Sequence, residues 1–141
     1  MSLPTEDRQT EYKHASKNRL PESIWETISA FANTIGGRVI LGVYENVHEH
    51  TFQAVGLSDP EKLKTTFLCD QQNPAIISAE VVQPNDIKII QVDHHRLLEI
   101  TVREIAADQP AIFLKNDRAE TYLRINDTDR RISDIGPAIM H

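Results

Sequence analysis

The chain has 141 residues, with 15 Lys and Arg against 21 Asp and Glu and a formal charge of −6. That balance argues against a protein that coats nucleic acid without selectivity. The length suits one domain with a real core, no apolar run is long enough to span a bilayer, and no signal-peptide pattern opens the chain.

The single cysteine, Cys69, cannot form an internal disulfide and suits a reducing compartment. The expectation is a cytoplasmic protein of bacterial type. Met1-Ser2-Leu3 reads as an expression-vector scar, and the uncapped ending Ile139-Met140-His141 as the cut end of a longer protein. Residues 1–141 are thus expected to be one domain, the N-terminal fragment of its parent.

In chain order, Tyr12 between Glu11 and Lys13 marks a short strand, in which Glu11 and Lys13 point the same way. Glu6 lies five residues from Glu11, an odd spacing that demands a turn if the two carboxylates are to meet. Residues 16–19 form a polar turn. The stretch 20–45, LPESIWETISAFANTIGGRVILGVYE, organises everything else. Pro21 suits the first turn of a helix, and Ile24, Ile28, Phe31 and Ile35 recur at helical spacing. Gly36-Gly37 supplies the left-handed residue that stops it. Val39-Ile40-Leu41 with Val43 then reads as a strand covered on both faces, and Glu45 emerges at its exit.

Residues 46–51 read as a loop and 52–57 as a strand returning beside the first. Ser58 or Asp59 caps a second helix with Pro60 at its first turn. Leu63, Phe67 and Leu68 face inward there, Cys69 lies near that core stripe, and Pro74 ends the helix. Residues 76–82, 87–92 and 97–102 are rich in β-branched residues. They suggest an antiparallel meander, turned at Asn85-Asp86 and joined to the Val39 strand. Residues 112–114 and 121–125 make a second hairpin across Asn116-Asp117, and 132–139 a terminal helix or the start of a linker. The fold class is therefore α+β: a mixed, largely antiparallel sheet against two or three helices.

Three groups of residues bear on chemistry. Glu6, Glu11 and Glu45, with Lys13 beside them, suit phosphodiester cleavage. That reaction needs a divalent cation such as Mg²⁺ or Mn²⁺ held by carboxylates, and a nearby ammonium to steady the attacked phosphate. Solvated glutamates at strand ends are the plainer reading. Lys115, Arg118, Arg124, Arg130 and Arg131 can grip backbone phosphates, Lys17, Arg19 and Arg38 extend the patch, and Tyr122, on the strand face of Arg124, offers a base a stacking surface. Scattered charge around an ordinary core tyrosine is the alternative. His48 and His50 have a metal-binding spacing but no evident third ligand. Asn33 reads as structural, bonding backbone of the adjoining loop, and Trp25 as a core or interface residue.

Gly36-Gly37 is not a phosphate loop, because helix, glycines, strand presents the negative end of the helix dipole. The charge is uneven. Arg8, Lys13, Lys17 and Arg19 outnumber Glu6, Asp7 and Glu11 at the start, and residues 59–110 carry the acidic excess. The ends can line a mildly basic surface.

AFANTIGGRVILGVYEN, preceded by LPESIWETIS and TEYK and followed by VGLSDPEKL and TYLRINDTDRR, resembles the Schlafen/AlbA-like domain. Arg124 is followed by Ile125-Asn126-Asp127 where that family usually has Gly-Ser. The resemblance implies an α+β fold and a DNA-binding module at the head of bacterial transcriptional regulators or helicase-like ATPases, its partners being nucleic acid and the parent's other domains. Nuclease-active Schlafen proteins carry a three-carboxylate metal site, and Glu6, Glu11 and Glu45 look like its counterparts, with aspartate common at the last. Two further readings stand beside DNA binding: a metal-dependent endonuclease, and a protein-interaction or dimerisation module.

Overall fold

The computed structural model describes residues 3–135. Strand β1 (Thr10–Lys13) and a 3-10 turn (Ser16–Asn18) lead to helix α1 (Ile24–Asn33). Strands β2 (Gly37–Leu41), β3 (Val43–Asn46) and β4 (Thr51–Ala54) precede helix α2 (Pro60–Asp70). After a 3-10 turn (Pro84–Asp86) come β5 (Ile87–Val92) and β6 (His95–Val102). Strands β7 (Phe113–Leu114), β8 (Asp117–Ile125) and β9 (Thr128–Arg131) and a 3-10 turn (Ile132–Asp134) complete the order. The α+β class is as expected. β1, β2, β6 and β5 form one sheet, in that order, with β1 parallel to β2; β3–β4 and β7–β8–β9 are separate antiparallel sheets.

α1 starts at Ile24, later than Pro21 suggests, because Pro21 sits in the preceding turn, where its carbonyl accepts from the Ile24 amide. Ile24, Ile28 and Phe31 are completely buried, against Val39, Leu41, Leu98 and Ile100 of the four-stranded sheet. The helix ends where the Gly36 amide reaches back to the Phe31 carbonyl at 2.8 Å with φ of +71°. A Cβ at Gly37 would lie 2.6 Å from the Phe31 ring, so only glycine lets strand and helix approach this closely.

The other face of that sheet carries Tyr12, Ile40 and Leu97 against Val43 and Phe52 of the β3–β4 hairpin, with the Tyr12 and Phe52 rings 5.0 Å apart. β2 is thus covered on both sides. The chain does not run straight on through Val43, however. Gly42, with φ of +100°, redirects it, and residues 51–54 return beside β3 rather than β2. Residues 76–82 form no strand. Ile77 and Val82 are buried, but Ile77 makes an isolated bridge to Leu114 of β7, and at Val82 the Gln71 side chain donates to the carbonyl and accepts from the amide. The meander therefore turns at Asp93-His94, both left-handed, and not at Asn85-Asp86. Cys69 is exposed on α2 rather than in the core. Of the expected terminal element, residues 136–139 lie outside the described residues.

α1 is also fastened to the three-stranded sheet by polar groups. The Asn33 amide donates to the carbonyls of Ile112 (2.9 Å) and Tyr122 (3.0 Å), and its Oδ1 accepts from the Ile112 amide at 2.8 Å. Asn33 is structural as expected, but its partners are about eighty to ninety residues away in sequence and not in the adjoining loop. Replacing Asn33 with Ala strands these backbone groups. We expect a loss of about 2–4 kcal/mol, read as a lower urea midpoint with an unchanged slope.

Candidate functional site

The first strand is the edge of its sheet, and the chain before it folds back on that edge. Asp7 and Thr10 exchange backbone hydrogen bonds, and the Asp7 carboxylate accepts from the Gln9 amide, which together make the turn that the Glu6–Glu11 spacing demanded. Glu6 Oε2 then accepts from the Tyr12 amide at 2.9 Å. Its carboxyl hydrogen-bonds that of Glu11 and lies in the field of Glu45, which stands exposed on β3 opposite Phe52. Burial first, then the hydrogen bond and charge of Glu11, push Glu6 from 4.5 up to about 8, the Tyr12 amide acting the other way. At neutral pH Glu6 therefore holds a proton between the two carboxyls.

Glu11 is held from its other side. Its Oε1 accepts from Arg124 Nη1 at 2.8 Å, and its Oε2 lies 3.8 Å from Lys13 Nζ, which in turn donates to Ser23 Oγ at 3.1 Å. Arg124 is the centre of this arrangement. Nη1 also donates to Asp129 Oδ1 at 2.7 Å, while Nη2 donates to the carbonyls of Asp7 (2.8 Å) and Thr10 (3.3 Å). The guanidinium stands 4.8 Å from the centre of the Phe31 ring, and its side chain has no solvent exposure. Burial alone would lower its pKa, but the bonds to Glu11 and Asp129 outweigh that and raise it.

Arg124 is therefore not a surface phosphate grip. The register explains why. Tyr122 pairs with Arg131 and Arg124 with Asp129 across β8–β9, so all four share one face, and α1 covers it. Leu123 and Arg130 take the outer face. Sequence reading placed Arg124 and Tyr122 on a common face correctly, but that face points inward. Asp129, Thr27 and Thr34 were missed. Asp129 Oδ2 accepts from Thr27 Oγ1, and Thr34 Oγ1 accepts from the Arg124 amide at 2.9 Å. The signal for Asp129 lies in a hairpin register centred on Asn126-Asp127, which sets residue 129 opposite 124.

The remaining cations do not form one patch. Lys115 Nζ and Arg131 Nη1 each lie 3.7 Å from Glu120, whose Oε2 also accepts from the Tyr122 hydroxyl. Burial, then Glu26 and Glu120, push Tyr122 up to about 12. Arg118 is exposed, 5.8 Å from the centre of the Phe113 ring. Arg130, Lys17 and Arg19 are exposed and have no carboxylate partner among the described residues. Arg38 pairs with Glu99 at 3.1 Å and stands at the opposite end of β1 from Lys17 and Arg19. His48 and His50 are exposed in the β3–β4 turn.

The structure brings Glu6, Glu11 and Lys13 together, with Glu45 near enough to act on Glu6 electrostatically. Among the described residues, however, no three His, Cys, Asp or Glu side chains are grouped to hold a metal ion. The Glu11 oxygens face Arg124 and Lys13, so a cation there would meet two positive charges. This arrangement does not fit a three-carboxylate Mg²⁺ or Mn²⁺ centre.

Residues 6–133 match the family model described as Schlafen, AlbA_2. The chain belongs to that family. Among solved structures, it is similar to the N-terminal domain of a Nitrosomonas europaea protein named as related to the ATP-dependent DNA helicase RecG. The identity is 28%, the TM-score is 0.65, and the match covers 92% of this chain and 85% of that one. It also shares its fold with the DIP2311 protein of Corynebacterium diphtheriae, at 19% identity and a TM-score of 0.58, over 89% of this chain and 22% of that one. No curated protein matches significantly.

Two outcomes follow for this Schlafen AlbA_2 domain. Removing Arg124 leaves Glu11 and Asp129 without their buried counter-charge, so Arg124→Ala should cost about 3–5 kcal/mol in urea unfolding. Arg124→Lys should recover only part of it, because a single ammonium cannot span four acceptors. Between about pH 4.5 and 8 the folded state keeps a Glu6 proton that the unfolded chain has released. Stability from this group is therefore full below the lower value and lost as pH rises through the upper one. The melting temperature of the native chain should fall across that window more steeply than that of Glu6→Gln.

Proposed function

We propose that this chain is a nucleic-acid-binding module, acting on DNA as the N-terminal domain of a longer helicase-like or transcriptional-regulator protein. The observation that carries this reading is the match, over 92% of the chain, to the N-terminal domain of a protein named for relation to a DNA helicase. Family membership over residues 6–133 agrees with it, and the same fold fills only 22% of the longer Corynebacterium chain. The contacts fall to the exposed cations, Lys17, Arg19, Lys115, Arg118, Arg130 and Arg131, with Arg38 at one end; Arg124 has another task. An acidic chain with a few exposed cations in separate places suits limited phosphate contact rather than coating. The domain works in a cytoplasmic setting on this reading; among the described residues no helix is long and apolar enough to cross a membrane.

The test is a salt titration of binding to short DNA and RNA duplexes and single strands. Affinity should fall with salt. Removing Arg118 and Arg130 together should reduce the slope of log affinity against log salt, by up to about 0.9 on duplex DNA for each phosphate no longer neutralised. A flat slope in the native chain would overturn the reading and favour a protein-interaction or dimerisation module. The metal-dependent nuclease reading through Glu6, Glu11, Glu45 and Lys13 fits the geometry less well. Mn²⁺-dependent cleavage that disappears in Glu11→Ala would establish it instead.

A further inference from the structure

β3 leaves an aromatic side chain where a core strand would bury one. Tyr44 is 48% exposed and Val47 beside it 66% exposed. The strand alternation accounts for this: Val43 and Glu45 share the face of Phe52 and Ala54, so Tyr44 takes the outward face with Gln53. His14, just past the end of β1, stands edge-on to Tyr44, with ring centres 6.0 Å apart and planes at 83°. That contact props the tyrosine upright at the sheet's rim. Beside this pair opens a recess of about 250 Å³ whose walls include Tyr12, His14, Tyr44, Glu45, Val47 and Phe52. It is smaller than the roughly 300–1,000 Å³ of sites that engulf a drug-sized ligand, and it suits one flat ring. It adjoins Glu45, and β1 carries Lys13 next to His14.

We infer that the Tyr44–His14 recess is a subsite for one unpaired base of a single-stranded nucleic acid. Two features carry it. An exposed aromatic face supplies sequence-tolerant stacking, which charged groups cannot. The second ring, set across the first, closes one side of the slot without occupying it. None of these groups grips phosphate, so the subsite adds base contact to the backbone contacts of the preceding reading, on which it rests.

The experiment has two arms. In the first, single-stranded and duplex oligonucleotides are bound to the native chain, Tyr44→Ala and Tyr44→Phe, by fluorescence anisotropy at several salt concentrations. Tyr44→Ala should weaken single-strand binding by about 5- to 150-fold, the range one stacked base carries. Tyr44→Phe should keep native affinity, the salt slope should not move, and duplex binding should be unaffected. In the second arm, cytidine and uridine, which lack phosphate, are titrated while the Tyr44 and His14 ring protons are followed by NMR; each nucleoside should shift both rings.

Salt-dependent oligonucleotide binding with no effect of Tyr44→Ala and no nucleoside shift would overturn the subsite and leave the nucleic-acid reading standing. A chain that binds no oligonucleotide at any salt would overturn both. Equal losses on duplex, failure of Tyr44→Phe to retain affinity, or loss of self-association on a sizing column in Tyr44→Ala would each overturn the subsite, the last by making this rim a contact between copies.

Discussion

One buried guanidinium holds the two halves of this domain in register. Arg124 comes from the three-stranded sheet, yet it bonds to Glu11 and to the carbonyls of Asp7 and Thr10, at the edge of the other sheet, and to Asp129 beside it. A charge so fully removed from water is costly unless its counter-charges and hydrogen bonds come with it. Here they do for both terminal nitrogens, from two segments more than a hundred residues apart in sequence, while the buried Nε has no hydrogen-bond partner among the described residues. The carbonyls it takes belong to the turn that aims Glu6 back at β1. The position of the acidic cluster therefore depends on the same interaction that joins the sheets. The planar fork matters as much as the charge, since one nitrogen serves two carboxylates while the other serves two carbonyls.

Much of this was legible in the sequence because it was local or periodic. The α1 stripe, the glycine stop and the Pro60 start of α2 each follow from side-chain spacing or from backbone conformations few residues adopt, and the hairpin expected at Asn116-Asp117 turns one residue earlier, at Lys115-Asn116. The failures share a different cause. Gly42 ends one strand and starts another within a continuous apolar run, and hydrophobicity does not record a change of direction. Residues 76–82 carry the buried Ile77 and Val82, but their backbone makes an isolated bridge to β7 at Ile77 and turns to the Gln71 side chain at Val82, so no strand forms. Arg124 looked like a surface cation because arginine usually is one. Only the β8–β9 register, together with the helix that lies on it, shows which way that face points.

The candidate site was half legible for the same reason. Glu11 and Lys13 lie two apart in one strand, so their shared side followed directly. Glu6 needed a turn, and the chain provides one through Asp7. Glu45 joined the group by proximity of β3 to β1, which no spacing in the sequence encodes. What results is a graded set rather than a symmetric trio: Glu11 fixed by cations, Glu6 holding a proton against it, and Glu45 exposed at the rim.

That gradation bears on what the edge of β1 is suited to do. A cluster of free carboxylates would repel a polyanion, yet here the local charge is largely cancelled, by the Glu6 proton on one side and by Arg124 and Lys13 on the other. The rim can then approach a nucleic-acid strand without the penalty its acidic composition suggests. Next to this muted field the chain sets two aromatic rings in the open, at His14 and Tyr44, while three of its exposed cations without an ion pair, Lys17, Arg19 and Arg130, lie just past the end of β1 and on the outer side of β9. On the proposed reading, base contact and phosphate contact would come from different places. A single strand crossing from one to the other would be read by stacking at the rim and tethered by charge away from it. A duplex, with its bases enclosed, would find only the tether.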